Sequence, residues 1–177
     1  MEEELIELGS PTASKRVILL HGLTGTASVI RPVAEYLCKR LGEDYSFLLP
    51  TAPIIKVKQF SGEPAHAWFD VKSSDFRREA DIDGIFESSD RIASLVRNEI
   101  SQGVSPKDIY LGGFSQGGVI ALTTALFGTF CGRGCFCLFF LPSFRRSVDK
   151  SDDGCLQRRP DLPSGVTQRR IYFSRNV

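Results

Sequence analysis

The chain has 177 residues, 42% of them hydrophobic, and a formal net charge of +1. This fits one globular domain with a single core, and the near-zero charge gives no reason to expect a nucleic-acid partner. The N-terminus is acidic, which does not resemble a secretory signal, and the apolar run CFCLFFLP is far shorter than the ~20 residues that span a bilayer. We therefore expect a cytoplasmic protein without stable membrane insertion, whose five cysteines are free thiols.

The first half of the chain predicts two strands, a helix and a long loop. Residues 15–22, KRVILLHG, form a β-branched and leucine-rich run, typical of a strand buried on both faces of a parallel sheet. A helix is predicted over 29–41 with Ser28 as its N-cap. Its apolar positions recur every four residues, at Val29, Val33, Leu37 and Leu41. A second strand is predicted within 45–53, and residues 52–84 show no sustained period, which predicts a long functional loop.

The second half continues the alternation. A mostly apolar stripe predicts a helix over 85–100, and the segments SPKDIYLGGF (105–114) and QGGVIALTTALF (116–127) predict a strand followed by a helix. CFCLFFLP (135–142) is compatible with one further strand. Strands that alternate with helices in this way predict an α/β fold with a mostly parallel central sheet.

One pentapeptide in this pattern points to chemistry. Residues 113–117, GFSQG, match the G-x-S-x-G motif that places a nucleophilic serine on a tight turn between a strand and a helix. Ser115 would be that nucleophile, and the backbone N–H of Gln116 would point at the oxyanion that forms when the serine attacks a carbonyl. A second N–H donor is expected from the loop HGLTG (21–25), where Leu23 is the candidate.

Four segments, VILLHGLTG, PTAPIIKV, AWFDV and IYLGGFSQGGVIAL, resemble successive blocks of the phospholipase/carboxylesterase family, which includes the acyl-protein thioesterases, within the α/β-hydrolase superfamily. The resemblance extends from about Lys15 to about Leu126. It implies an α/β-hydrolase fold and hydrolysis of carboxylic esters or thioesters, such as lysophospholipids or S-acylated proteins. No metal or organic cofactor is implied.

The resemblance also assigns residues to roles. Ser115 matches the family nucleophile, and Leu23 and Gln116 match its oxyanion donors. Trp68 and Phe69 fall in the segment that lines the acyl groove, where two roles stay open for them, a substrate-binding wall and ordinary core packing.

The C-terminal part departs from the family pattern. An α/β-hydrolase triad runs in the order Ser, then Asp or Glu, then His, but no histidine follows Ser115 and the family's later acid and base blocks are absent. We therefore expect a partial hydrolase core over 1–142, incomplete at the C-terminal edge of the sheet, and an irregular basic tail over 143–177. The hypothesis is a truncated or alternatively spliced form of a hydrolase. Its alternative function is a non-catalytic acyl-binding or decoy module.

The remaining candidate groups favour ordinary roles. His66 lies in the groove-lining segment and is the candidate for a substitute base, although a loop histidine without a catalytic role is commoner. A structural role is expected for His21. The spacing of CGRGCFC (131–137) does not match a zinc knuckle, so no metal site is expected there. The paired arginines and scattered aspartates of the tail are expected to be solvated charges.

Overall fold

The computed structural model describes residues 4–72, 80–128 and 134–138. Within these ranges lie seven strands and three α-helices. The strands are β1 (Leu5–Gly9), β2 (Lys15–Leu20), β3 (Tyr45–Pro50), β4 (Ile54–Lys56), β5 (Pro64–His66), β6 (Ile109–Phe114) and β7 (Gly134–Leu138). The helices are α1 (Ala27–Leu41), α2 (Ile82–Ser101) and α3 (Gln116–Phe127).

Five of the strands form one sheet, in the order β1-β3-β2-β6-β7. The pairs β3/β2, β2/β6 and β6/β7 are parallel, and β1 is antiparallel to β3. Leu20 lies opposite Gly113, so β2 and β6 end side by side at the carboxyl edge of the sheet. The expected α/β fold with a mostly parallel central sheet is confirmed.

Both faces of the sheet are covered by helices. In β2, Val17 and Leu19 pack on one face with α1, while Ile18 and Leu20 pack on the other with α2 and α3. Successive side chains of a strand point to opposite faces, so a strand covered on both sides needs an unbroken apolar run. This explains why the sequence of β2 shows no alternation.

Helix α1 corrects two details of the sequence analysis. It begins at Ala27 with Thr26 as N-cap, not Ser28, and the Ala27 N–H donates to Thr51 Oγ1 at 2.9 Å. The four-residue apolar repeat was the wrong guide to its buried face, since Val29 is 68% exposed. Four residues of an α-helix turn about 40° beyond a full turn, so side chains spaced four residues apart move around the helix and do not stay on one face. The buried positions are instead Ala27, Ile30 and Ala34.

Three strands, β1, β4 and β5, were not predicted from the sequence. Residues 52–84 are not one irregular loop, because β4 and β5 form an antiparallel two-stranded sheet within them. Strand β1 was also overlooked, although Ile6 and Leu8 alternate with more exposed neighbours and pack on the core beside α1. Strands β4 and β5 have three residues each, which is too short for a period of two to be recognised.

The predicted boundaries at the C-terminal side are only partly described. Strand β7 overlaps the strand compatible with 135–142, which is confirmed as far as Leu138. The predicted tail, residues 143–177, and the predicted incompleteness of the sheet lie outside the described residues. In the part of the chain that is described, no helix combines the length and the hydropathy needed to cross a bilayer.

A buried ion pair joins the sheet to α2 at the edge opposite Leu20. Arg16 Nε and Glu99 Oε2 are 2.9 Å apart, and the two side chains are 12% and 8% exposed. The guanidinium of Arg16 also donates to the carbonyl oxygens of Ala13 and Pro11 and to Ser46 Oγ. Because the side chains of Arg16 and Glu99 are both largely buried, removal of the carboxylate would leave an uncompensated charge in the interior.

We expect Glu99→Ala to lower the free energy of unfolding by about 3 kcal/mol, since Arg16 would lose its buried counter-charge. Glu35→Ala is the matched control, because Glu35 pairs with Arg31 across one turn of α1 at 44% and 51% exposure. That surface pair should contribute about 0.5 kcal/mol or less. Urea denaturation of both variants beside the wild type makes the comparison, and equal losses would contradict the role given to Glu99.

Candidate active site

The turn between β6 and α3 consists of one residue, Ser115. Its backbone torsions are φ +53° and ψ −117°, a conformation that a side-chain-bearing residue rarely adopts. Strained backbone of this kind is held in place only by the surrounding structure, and it is the conformation of a nucleophile elbow. The turn leaves Ser115 half-buried at the carboxyl edge of the sheet.

The glycines on both sides of Ser115 are required by close packing. A Cβ at position 113 would overlap the carbonyl group of Gly117. A Cβ at position 117 would lie 2.5 Å from the carbonyl oxygens of Leu20 and His21. The first turn of α3 therefore rests directly on the ends of β6 and β2, and only glycine permits that approach.

The loop that follows β2 lies against this elbow. A Cβ at Gly22 would come within 2.9 Å of the Phe114 ring, and the Thr24 N–H donates to the His66 carbonyl at 2.9 Å. Among the described residues, the backbone N–H groups of Leu23 and Gln116 donate to no protein acceptor. The structure thus brings the two predicted donors to one edge of the sheet and leaves both available to a ligand.

Trp68 and Phe69 are buried, at 3% and 6% exposure, and belong to the core beneath α2 and α3. They also line a cavity of about 340 Å³, together with Pro53, Ile55 and charged side chains of α2. The two roles left open by the sequence are therefore both present, core packing and a cavity wall. Their contact with an acyl group stays a prediction.

His21 is built into the backbone around the elbow. Its Nδ1–H donates to the Gly22 carbonyl at 2.7 Å, and its Nε2 accepts the Ala52 N–H at 2.9 Å. Since an amide can only donate, this pairing selects the neutral ring. Burial lowers the pKa of His21 from 6.5, the bond to Gly22 opposes that shift, and the nearby His66 adds to it. The structural role expected for His21 is confirmed.

His66 lies on β5 with its Nδ1 2.7 Å from the Ala52 carbonyl oxygen. Within the described ranges, no hydrogen bond connects it to Ser115. The chain contains two histidines; both ring nitrogens of His21 and the Nδ1 of His66 bond backbone groups. The substitute-base hypothesis for His66 gains no geometric support.

The sequence model of the phospholipase/carboxylesterase family matches residues 1–138. The chain belongs to this family. Acyl-protein thioesterase 1 of Saccharomyces cerevisiae is 37% identical over 119 residues, which cover 64% of this chain and 52% of the relative. Acyl-protein thioesterase 1 homolog 2 of Dictyostelium discoideum is 36% identical over 122 residues, which cover 68% of this chain and 55% of that relative.

The fold agrees with solved structures. The crystal structure of Zea mays acyl-protein thioesterase 2 aligns with a TM-score of 0.57 at 28% identity, over 70% of this chain and 50% of that one. The phospholipase/carboxylesterase chain described here spans about half the length of the curated relatives that it matches.

Some contacts in this phospholipase/carboxylesterase domain were not predictable from motifs. The Gln116 side chain, 4% exposed, bonds the backbone of Trp68 and Phe69, and Ser88 donates to the Trp68 carbonyl. No group of three or more His, Cys, Asp or Glu in the described part of the chain is arranged to hold a metal ion. The side chains of CGRGCFC lie outside that part.

We expect Ser115→Gly to be more stable than Ser115→Ala by about 1 kcal/mol, because only glycine is unstrained at φ +53°. The two variants both lack the hydroxyl and differ only in the Cβ, so each serves as the control of the other. Chemical denaturation midpoints measure the difference. An Ala variant as stable as the Gly variant would show that the elbow carries no strain.

We also expect the stability advantage of wild type over His21→Gln to shrink as the pH falls below 6.5. The unfolded chain binds a proton at His21 near pH 6.5, whereas burial depresses the folded pKa, so acidification favours unfolding of the wild type only. Urea denaturation of both proteins across this pH range measures the difference. A constant difference at every pH would contradict the neutral, buried state of His21.

Proposed function

We propose that this chain hydrolyses carboxylic esters or thioesters through an acyl-enzyme on Ser115, with the Leu23 and Gln116 N–H groups as oxyanion donors. The observation that carries the proposal is the elbow itself, a strained serine between a strand end and a helix N-terminus. Membership of the phospholipase/carboxylesterase family supports it.

The reaction follows from these groups. Ser115 Oγ forms a bond to the acyl carbon, and the carbonyl oxygen takes the negative charge between the two N–H donors. The C–O or C–S bond then breaks, the alcohol or thiol leaves with a proton, and water releases the acid from Ser115. Among the described residues no hydrogen bond joins Ser115 to His21 or His66, so Ser115 has no hydrogen-bonded base there. The rate of this part of the chain alone would then rest on the oxyanion donors and substrate binding.

The substrate class follows from the family and the cavity. Several relatives are named acyl-protein thioesterases. Trp68, Phe69, Pro53 and Ile55 form an apolar part of the cavity lining that suits an acyl chain, and the remaining lining includes the charged residues Asp81, Asp83, Glu87 and Arg91. We propose S-acylated proteins or lysophospholipids as substrates, with the cytoplasm as the site of action. The reaction needs no metal or organic cofactor, and nothing in the charge pattern calls for a nucleic-acid partner.

A second candidate is an acyl-binding module that does not turn over. The observation that favours it is the state of the two histidines. His21 bonds Gly22 and Ala52, His66 bonds Ala52, and among the described residues neither forms a hydrogen bond with Ser115. Such a module would bind the acyl chain and leave the ester bond intact.

We expect an alkyl fluorophosphonate to label the folded chain once, at Ser115, and we expect thioester hydrolysis above the buffer rate. Ser115→Ala should abolish both. Ser61→Ala is the matched control, because Ser61 is an exposed serine that also has a positive φ, +59°. Mass spectrometry of the adduct and initial rates provide the readout. A folded chain that binds acyl ligands without labelling would support the second candidate, and a chain that does neither would contradict both.

A further inference from the structure

The segment from Ala67 to Asp70 is held by side chains of other elements. The Trp68 N–H donates to Gln116 Oε1 at 3.1 Å, and Gln116 Nε2 donates to the Phe69 carbonyl at 2.9 Å. One primary amide thus pairs with the backbone of two consecutive residues. Gln116 is 4% exposed, so water does not compete for these bonds.

Other polar groups of this segment bond side chains of α2 and its N-cap, or the residue that follows β2. Ser88 of α2 donates to the Trp68 carbonyl, and the Asp70 N–H donates to Asp81 Oδ2 at 2.9 Å. The Trp68 indole Nε1–H donates to the His21 carbonyl at 2.8 Å. Ser88 and Asp81 connect the segment to α2, whereas the amide of Gln116 connects it to the residue next to Ser115.

We propose that the Gln116 side chain is a positioning residue that fixes the acyl-lining residues Trp68 and Phe69 relative to Ser115. This inference rests on the proposed function. The backbone N–H of Gln116 is the proposed oxyanion donor, and its side chain holds the backbone of Trp68 and Phe69 in the cavity wall. One residue therefore fixes the position of the acyl chain relative to the reacting carbonyl. Trp68 and Phe69 can move away from the elbow only by leaving buried polar groups unpaired.

A consequence is selectivity for acyl length. A long acyl chain that contacts Trp68 and Phe69 depends on their position, whereas a short one that ends before them does not. Loss of the Gln116 amide should therefore weaken long-chain binding and spare short-chain binding. A role confined to global stability would affect both equally.

Trp68 is the one tryptophan of the 177-residue chain, so its fluorescence reports on this segment alone. The test compares acrylamide quenching of Trp68 in the wild type, Gln116→Met and Gln116→Glu, each confirmed as folded by circular dichroism. Gln102→Met and Gln102→Glu make the same chemical changes at an exposed glutamine at the end of α2 and serve as controls. No ligand and no catalytic activity are required for this readout.

We expect Gln116→Met to increase quenching several-fold, because the near-isosteric thioether offers no hydrogen bond to Trp68 or Phe69. Gln116→Glu should match the wild type at low pH, where a protonated carboxyl can accept from Trp68 and donate to Phe69, and should resemble Gln116→Met at high pH, where it can only accept. The wild type at each pH corrects for the neighbouring His21. Unchanged quenching in Gln116→Met, or no pH dependence in Gln116→Glu, would overturn the proposal.

A binding measurement then separates this proposal from the proposed function. Thioethers of N-acetylcysteine amide that carry a decyl or a butyl chain cannot be hydrolysed, and they are titrated against Trp68 fluorescence. We expect Gln116→Met to weaken decyl binding by about tenfold, the cost of one buried polar group left unpaired, and butyl binding to stay unchanged. Equal weakening of both would overturn the positioning role. If the wild type binds neither thioether but Trp68 quenching changes as expected, the positioning contact stands and the proposed acyl site fails.

If neither Gln116 variant folds, amide hydrogen exchange of the wild-type chain tests the proposal instead. The Trp68 amide, protected by the Gln116 side chain, should exchange as slowly as the backbone amides of α3. Exchange as fast as in exposed loops would overturn the proposal, because the Trp68–Gln116 bond would then open independently of the elbow.

Discussion

The site depends on one close contact, between the first turn of α3 and the ends of β2 and β6. Gly113 and Gly117 allow it because a side chain at either position would collide with backbone. Because α3 begins so close to the strand ends, a single residue must connect β6 to α3, and Ser115 adopts a positive φ to make this connection. The strain at Ser115 is thus a consequence of helix placement, and the contact that causes it also aims the helix N-terminus at the sheet edge.

The surroundings of the elbow are stabilised by hydrogen bonds between side chains and backbone. His21 and Gln116 each bond backbone groups of two residues, and Ser88 and Asp81 bond the segment that carries Trp68. In the described residues, no buried side-chain nitrogen or oxygen lacks a hydrogen-bond partner. Satisfied buried networks tolerate little displacement, because any shift exposes several polar groups at once. The irregular segments near Ser115 therefore gain the order that sheet pairing would otherwise provide.

Sequence patterns predicted the parts of the structure that arise from local rules. β2, β6 and α3 follow from apolar runs and from the glycine motif around Ser115. The buried face of α1, formed by Ala27, Ile30 and Ala34, does not follow the four-residue apolar repeat of its sequence. The bond between Gln116 and Trp68 joins residues 48 positions apart, and no local pattern records it. The proposed nucleophile and its two proposed donors could thus be named from the sequence, but the contacts that surround them required the fold.

The antiparallel direction of β1 places the start of the chain at the edge that carries Ser115. Leu5 pairs with Pro50, and the Glu4 carbonyl accepts the N–H of Thr51, whose hydroxyl in turn accepts the Ala27 N–H. An affinity tag or fusion partner joined ahead of Glu4 would therefore leave the protein at the same edge of the sheet as Ser115.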